Sequence, residues 1–501
     1  MALGFALREG AVVGWGGALL VGLAVARAAT RVDVAGIRAA GFEMTWRGEA
    51  RAARASRGEA LVLEAEVRNR DIRAARFTSL RAVCSSELEV TLRPEQGEVP
   101  GGGRLLVRVS VRAPRVGRHA IHGLSLELQG APGLFEVPLT FSNPYGIEVV
   151  PGPLHGLLRS ARGGRSRSLS ERGRPGPLAG EGDSLRELRE HQPGDPFRRI
   201  AWKASARRGR LMVREYEQEE HDVVFVLVDA SVEHWSGRPG EAALDHAIDE
   251  AAAVAVKHLG RGDAVGLGIV GARPLAWLDA SRGPAQALRI ALALSHATSC
   301  VERDRSALDE SDVAARVLEH LRPLDPEAAR GVKSHELDRI ARRAERLIAA
   351  RAPFRDVTTE FGTKRERVLR AYLDAFGIGS PARLEPDRPH ADLELAKALS
   401  KLSRERVRPS IVYLWSPAPD PSTRPALERA LVQPKRHFEL RFLSMPLDRG
   451  IPEAAAGVPR VAGETVGLRA RAALRRGEAS LRRMGIRVDV LRSRVKPENA
   501  A

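Results

Sequence analysis

Only two cysteines, Cys84 and Cys300, occur in 501 residues, which excludes a disulfide scaffold and any structural zinc site built on cysteine. Lysine is scarce as well, supplying 8 of the 80 basic residues. An arginine excess beside abundant alanine and glycine reflects GC-rich coding bias more than a selected phosphate-binding surface. The net charge of +17 is therefore no argument for nucleic acid. The basic stretches Arg159–Arg174 and Arg198–Arg210 also lack the aromatic interleaving that single-strand binding uses. There is no GxxxxGK[ST] loop, HExxH, CxxC, GxSxG or EF-hand loop, so the common nucleotide, zinc-protease, hydrolase and calcium chemistries have no motif to stand on. The 13 histidines are scattered rather than set at ligand spacing. After the N-terminus, no apolar run is long enough to cross a bilayer.

What is present begins with such a run. Gly10 to Ala26 are 17 uncharged residues, and Arg27 is the only charge between Gly10 and Thr30. At about 1.5 Å per residue, a helix over residues 10–30 crosses the hydrocarbon layer if Arg27 snorkels to the interface. Arg31, Arg38, Arg47, Arg51, Arg54 and Arg57 follow. The positive-inside rule then predicts a single pass through the inner membrane with the bulk of the chain cytoplasmic. A cleaved signal peptide competes, since Ala26-Arg27-Ala28 resembles a small-x-small site, but the leading segment has no net side-chain charge, which favours an uncleaved anchor.

Residues 58–150 alternate as half-buried strands do: Val107, Val109 and Val111 face one way, Arg108, Ser110 and Arg112 the other. With turn signals between such runs, the pattern predicts an antiparallel, Ig-like β-sandwich. Residues 151–180, with Arg162, Arg165, Arg167, Arg172 and Arg174 among Gly, Ser and Pro, read as a flexible basic linker. Contact with anionic headgroups is its functional alternative. From Val223 the period changes to buried strands alternating with amphipathic helices, which predicts a doubly wound parallel sheet in two parts, 223–303 and 381–495. A helical insertion, 304–380, separates them and carries no catalytic motif; a partner-docking subdomain and a decorative insertion both remain open. Asp245, His246 and Asp249 share helix faces and read as surface decoration.

Ahead of the sheet, residues 181–222 hold the densest polar detail. Pro193-Gly194-Asp195-Pro196 is a turn whose Asp195 is placed to cap the next helical turn. Trp202 offers a large apolar face, with Arg198 and Arg199 at i−4 and i−3. Arg207, Arg208 and Arg210 are set against the acidic run Glu215, Glu217, Glu219 and Glu220. The block reads either as a clamp packing the linker onto the sheet edge or as a partner-binding surface. Its elements Asp183-Ser184-Leu185-Arg186, Pro193-Gly194-Asp195, Arg198-Arg199-Ile200-Ala201-Trp202-Lys203-Ala204-Ser205-Ala206-Arg207 and Leu211-Met212-Val213-Arg214-Glu215 resemble, in order and spacing, the signature of the DUF58 family (domain of unknown function 58). Gly194, Asp195, Arg198, Arg199, Trp202, Lys203, Arg207 and Leu211 carry the match. Ala201, where many relatives have Asp, and His191, at a usual aromatic position, depart from it.

The fold read from these patterns is α/β, with an N-terminal transmembrane helix, an antiparallel β-sandwich, then a doubly wound parallel sheet with a helical insertion; the resemblance implies that this sheet is of von Willebrand factor A type. It also implies a partner class, the MoxR-type AAA+ ATPases. A-type sheets often hold Mg²⁺ at their strand ends through a D-x-S-x-S loop, a threonine and a further aspartate, a hard-oxygen set suited to that ion. Here Asp229, Ser231 and Ser416 are the remnant. Glu233 replaces the second serine, Pro389–Leu393 offers no threonine, and Pro417 stands where relatives tend to have Asp. Asp420 substitutes only if its loop bends back. No cofactor is therefore expected, Mg²⁺ is disfavoured, and Asp229 is left to cap a helix or pair with an arginine. The expected function is a membrane-anchored, non-enzymatic protein-interaction scaffold or adaptor. The alternative is an Mg²⁺-dependent, adhesion-type ligand-binding A domain.

Overall fold

A computed structural model describes residues 10–48, 50–154, 174–235, 238–297, 308–325, 329–354, 363–379, 388–422, 424–432, 437–445 and 458–490. Cys300, linker residues 155–173 and residues 491–495 of the expected sheet lie outside them. The chain divides into two compact units, residues 1–149 with 299–383, and residues 150–298 with 384–501.

The first unit opens with helix α1 (Gly10–Ala40), 31 residues or about 46 Å long. Among the described residues it is the one helix long and apolar enough to span a membrane. Trp15, Leu19, Val21 and Val25 are exposed, whereas Ala26, Thr30, Val34 and Ile37 are buried. Thr30 Oγ1 donates to the Ala131 carbonyl at 3.1 Å, and Asp33 pairs with Arg73 at 2.6 Å. Burial thus begins inside the expected span of 10–30, at Ala26 and Thr30, while Arg27, Ala28 and Ala29 stay exposed.

Strands β1 (Phe42–Trp46), β2 (Ala52–Ser56), β3 (Ala60–Asn69), β4 (Ala75–Cys84), β5 (Glu89–Arg93), β6 (Gly97–Val99), β7 (Arg104–Arg112), β8 (Gly117–Gln129) and β9 (Glu136–Val150) form two antiparallel sheets, ordered β1-β3-β7-β5 and β2-β9-β8-β4-β6. The sandwich begins before residue 58 because β1 and β2 add edge strands. Alternation drives its core: Val107, Val109 and Val111 join Leu124, Leu126, Leu128, Phe77 and Ile147 in one cluster that also takes Val34 and Ile37 of α1.

The insertion belongs to this unit rather than to the second sheet's unit. Its helices Glu310–Leu324, Leu337–Arg351 and Lys364–Ala375 share a core of Val313, Val317, Leu321, Ile340, Leu369 and Leu373. The insertion packs on the sandwich. Ser85 Oγ donates to the Gly377 carbonyl, Arg118 lies over the Phe354 ring, and His122 meets His320.

In the second unit, β10 (Arg174–Glu190) and β11 (Met212–Glu220) make an antiparallel hairpin around the short helix α2 (Trp202–Arg208). The expected linker therefore gives way to strand at Arg174, six residues before its predicted end at Gly180. A six-stranded sheet follows from β12 (Val223–Asp229), β13 (Ala264–Val270), β14 (Pro274–Ser281), β15 (Ile411–Ser416), β16 (Glu439–Ser444) and β17 (Arg487–Val490), in the order β14-β13-β12-β15-β16-β17. All neighbours are parallel except β13–β14. The antiparallel edge strand β14 has no counterpart in the sequence reading, because its half-exposed residues do not alternate cleanly. The helices are α3 (Ala243–Leu259), α4 (Pro284–His296), α5 (Arg388–Arg404), α6 (Pro425–Val432) and α7 (Val458–Arg483). Phe225, Leu227, Val412, Leu414 and Phe442 pack with Leu395, Leu399, Leu427 and Leu481 of α5, α6 and α7. Val224, Val226 and Val228 point to the opposite face by strand alternation, where α3 meets β12 and β13. Asp245 is not surface decoration: it is buried and accepts from the Gly240 and Ala242 amides at 2.9 and 3.2 Å, holding the start of α3.

Candidate functional site

The strand order reverses between β12 and β15, which pair in parallel through Val228 and Trp415. Open α/β sheets bind ligands at the carboxyl ends of strands at such a switch point. Asp229 ends β12 and Ser416 ends β15, both fully buried. Asp229 Oδ1 accepts from the Ser231 amide at 3.1 Å and from the Ser231 hydroxyl. Its Oδ2 accepts from Ser416 Oγ at 2.8 Å and from Arg388 Nη1 at 2.7 Å. Arg388 Nη2 donates to Glu233 and, at 3.0 Å, to His234 Nε2. Burial is the strongest single influence on Asp229 and opposes its ionisation, but Arg388 foremost, with His234 and Arg424 beside it, together outweigh that and hold the carboxyl well below the usual range. Arg388, itself desolvated, is held further up by Asp229 and Glu233.

A second arginine extends the cluster. Arg424 Nε lies 3.0 and 2.9 Å from the two oxygens of Asp392, and its Nη1 donates to the Pro417 carbonyl at 2.7 Å. Asp392 also lies 3.7 Å from Arg388 Nη1. Asp420 does not bend back to Asp229; it accepts from Ser422 and from Arg476 Nη2 at 2.7 Å. Asp229, Ser231 and Ser416 are thus brought together as the sequence predicts, with Asp229 paired to an arginine. Arg388, Asp392, His234 and Arg424 were missed, although Arg388 and Asp392 stand at i, i+4 and face the same side of α5. A divalent cation does not fit this set. Both Asp229 oxygens already accept two hydrogen bonds each, both serine hydroxyls point their protons at that carboxylate, and a guanidinium stands beside it. Among the described residues, no group of three or more His, Cys, Asp or Glu side chains suits a metal ion.

The signature hairpin is organised differently. Ile200 bridges to Val213, the Ala201 amide donates to the Met212 carbonyl at 2.8 Å, and Ser205 Oγ accepts from the Met212 amide at 2.8 Å. Ile200, Ala201, Ser205, Met212 and Val213 are buried. The outer face is apolar and basic: Phe197 is 75% exposed, Trp202 64% and Leu211 45%, beside exposed Arg198, Lys203, Arg207, Arg208 and Arg210. Leu188, Lys203, Ala204, Arg207, Arg208 and Arg214 line an open groove. Gly194 turns the chain at φ +107°, and Arg199 is half-buried.

One expectation for this block is corrected. Asp195 does not cap the following turn, whose first residue has no side-chain cap. It makes a two-pronged ion pair with Arg189, both contacts 2.7 Å, and accepts from the Gln192 amide. These bonds hold its carboxyl below the ordinary range, Arg189 foremost. The arginine cluster and the acidic run are described only in part. Arg210 pairs with Glu190 and Glu215 lies 3.5 Å from Arg189, while the side chains of Glu217, Glu219 and Glu220 lie outside the described residues. For Asp195, the nearer Arg189 captures the charge.

Residues 187–353 match the family model described as "Protein of unknown function DUF58". The uncharacterized protein YeaD of Bacillus subtilis (strain 168) is 45% identical over 42 residues, a stretch that covers 8% of this chain and 11% of that relative. Among solved structures, the PapD-like domain 7 of human CEP192 is similar at 12% identity and TM-score 0.18, over 22% of this chain and 84% of that one. The cupredoxin domain of amoB from Nitrosocaldus yellowstonii is similar at 15% identity and TM-score 0.14, over 18% of this chain and 55% of that one. Scores this low establish no shared fold.

Proposed function

We propose that this chain, a member of the DUF58 family through residues 187–353, is a membrane-anchored, non-enzymatic adaptor that docks a partner protein on the outer face of its signature hairpin. The exposure of Trp202 carries the reading. A tryptophan left 64% in solvent beside Phe197 and Leu211 forfeits burial energy on the order of 1.5–3 kcal/mol per large side chain, and exposed aromatic–arginine surfaces are where binding hot spots concentrate. The basic surround fits a partner with an acidic surface. A MoxR-type AAA+ ATPase is the partner we propose, on the strength of the family resemblance. The strand order of the sheet, with its antiparallel edge strand β14, supports a von Willebrand factor A-like reading of that unit.

The anchor fits this role. Helix α1 continues without a break from exposed apolar residues into the packed turns at Thr30, Val34 and Ile37, so the sandwich is coupled to the span by helix rather than by a tether. The arginines from Arg31 onward favour the inner membrane with the bulk of the chain in the cytoplasm.

Recovery of a partner from detergent-solubilised membranes, with and without ATP, tests the reading. Trp202→Ala is expected to abolish recovery of an AAA+ ATPase while leaving the melting midpoint unchanged, since the ring is outside the core. Undiminished recovery by the folded variant would refute the docking role.

A further inference from the structure

We infer that Arg388 is a built-in counter-cation at the switch point, taking the place a divalent ion would otherwise fill and making this edge of the sheet independent of metal. Three carboxylates converge on its guanidinium: Asp229 at 2.7 Å, Glu233, and Asp392 at 3.7 Å. Asp229 is completely buried and the Arg388 side chain only 15% exposed. A buried carboxylate is tolerated only beside a compensating positive charge. At the ends of parallel strands that charge can be a bound ion or a side chain, and here it is a side chain from the first residue of α5. The planar guanidinium reaches separate carboxylates with separate nitrogens, as a lysine ammonium cannot. Being covalently attached, it is present whatever the metal supply.

The hydroxyls of Ser231 and Ser416 accompany Asp229, so removing Arg388 leaves a cluster of hard oxygens with surplus negative charge. Mg²⁺ and Mn²⁺ bind such clusters through one or two carboxylates, with water completing the shell. The geometry thus holds a latent cation site that the chain fills for itself.

The test uses the full chain in detergent, with Mn²⁺ binding followed by electron paramagnetic resonance and melting followed in Mg²⁺ and in chelator. Wild type is expected to bind no Mn²⁺ in an Asp229-dependent way and to melt at the same temperature in both buffers. Arg388→Met is expected to bind one Mn²⁺ per chain, to melt several degrees higher in Mg²⁺ than in chelator, and to lose both properties when Asp229→Asn is added. Should Arg388→Met fail to fold in chelator, refolding in Mg²⁺ is the second readout, and recovery there supports the inference. Asp229-dependent Mn²⁺ binding by wild type overturns it. So does a folded Arg388→Met chain that binds no Mn²⁺, or failure to refold in either buffer while the Arg388→Met/Asp229→Asn double variant folds.

Discussion

The imidazole rings of His122, on β8, and His320, on the first insertion helix, meet edge to face with centroids 4.2 Å apart. His122 Nδ1 and His320 Nε2 are buried without a hydrogen-bond partner, while His320 Nδ1 lies 2.8 Å from the Tyr372 hydroxyl. A proton on either ring would sit in apolar surroundings beside the other. Burial lowers both from the ordinary 6.5, His122 well below it and His320 to about 3.

Acid should therefore loosen the insertion from the sandwich. The folded state keeps both rings neutral, so their contribution is fully present above about pH 6.5 and falls away as pH drops from there toward 3 and the unfolded chain takes up protons. Each ring adds a slope of about 1.4 kcal/mol per pH unit in that window. Denaturant unfolding at a series of pH values measures it. His122→Leu, which removes an unsatisfied nitrogen, should leave stability at neutral pH within about 1 kcal/mol and flatten the acid limb. An unchanged limb would show that other groups govern it.

A second prediction concerns how the insertion docks. Gly377 has φ +66°, and a Cβ there would lie 2.7 Å from the Arg118 carbonyl oxygen and 2.9 Å from the His119 Cα. Gly331 has nearly the same φ, +68°, with nothing within 4 Å of the corresponding Cβ. Gly331→Ala should cost only the left-handed backbone penalty, about 1–2 kcal/mol. Gly377→Ala adds the clash and should cost about 2–4 kcal/mol. Chemical denaturation of the pair separates conformation from contact, and equal costs would mean that the insertion gives way freely.

The sequence makes the second unit's strands and helices legible because their periodicity is strong. Val223–Val228 and Ala264–Val270 are continuous apolar runs, and Leu244, Ile248, Ala251 and Ala255 form a stripe. Edge elements such as β14 escape, since a half-exposed strand has neither an apolar run nor clean alternation. The site was legible in its carboxylate and serines, which sit where strands end, but not in its cations. Arg388 and Arg424 are two arginines among many, and only the fold shows which of them reach Asp229 and Asp392. Local geometry decides Asp195 in the same way: its sequence neighbours suggest a cap, while the β10–β11 turn brings Arg189 nearer.

The second arginine yields the last prediction. Asp392 and Arg424 are both buried, with Arg424 Nε about equidistant from the two carboxylate oxygens. Arg424→Met removes the close partner and leaves Asp392 with Arg388 alone, at 3.7 Å. Stranding a buried charge typically costs about 3–5 kcal/mol, and the lost donation to the Pro417 carbonyl adds to that. Asp392→Leu alone strands the guanidinium instead. The Arg424→Met/Asp392→Leu double variant removes both charges and should recover most of the loss, giving a coupling energy of at least about 2 kcal/mol between the two positions. Unfolding free energies of the four chains form the cycle. Additive single-variant losses would mean that Arg424 and Asp392 are each held by other groups, and that the cluster beside Asp229 is not a single charge network.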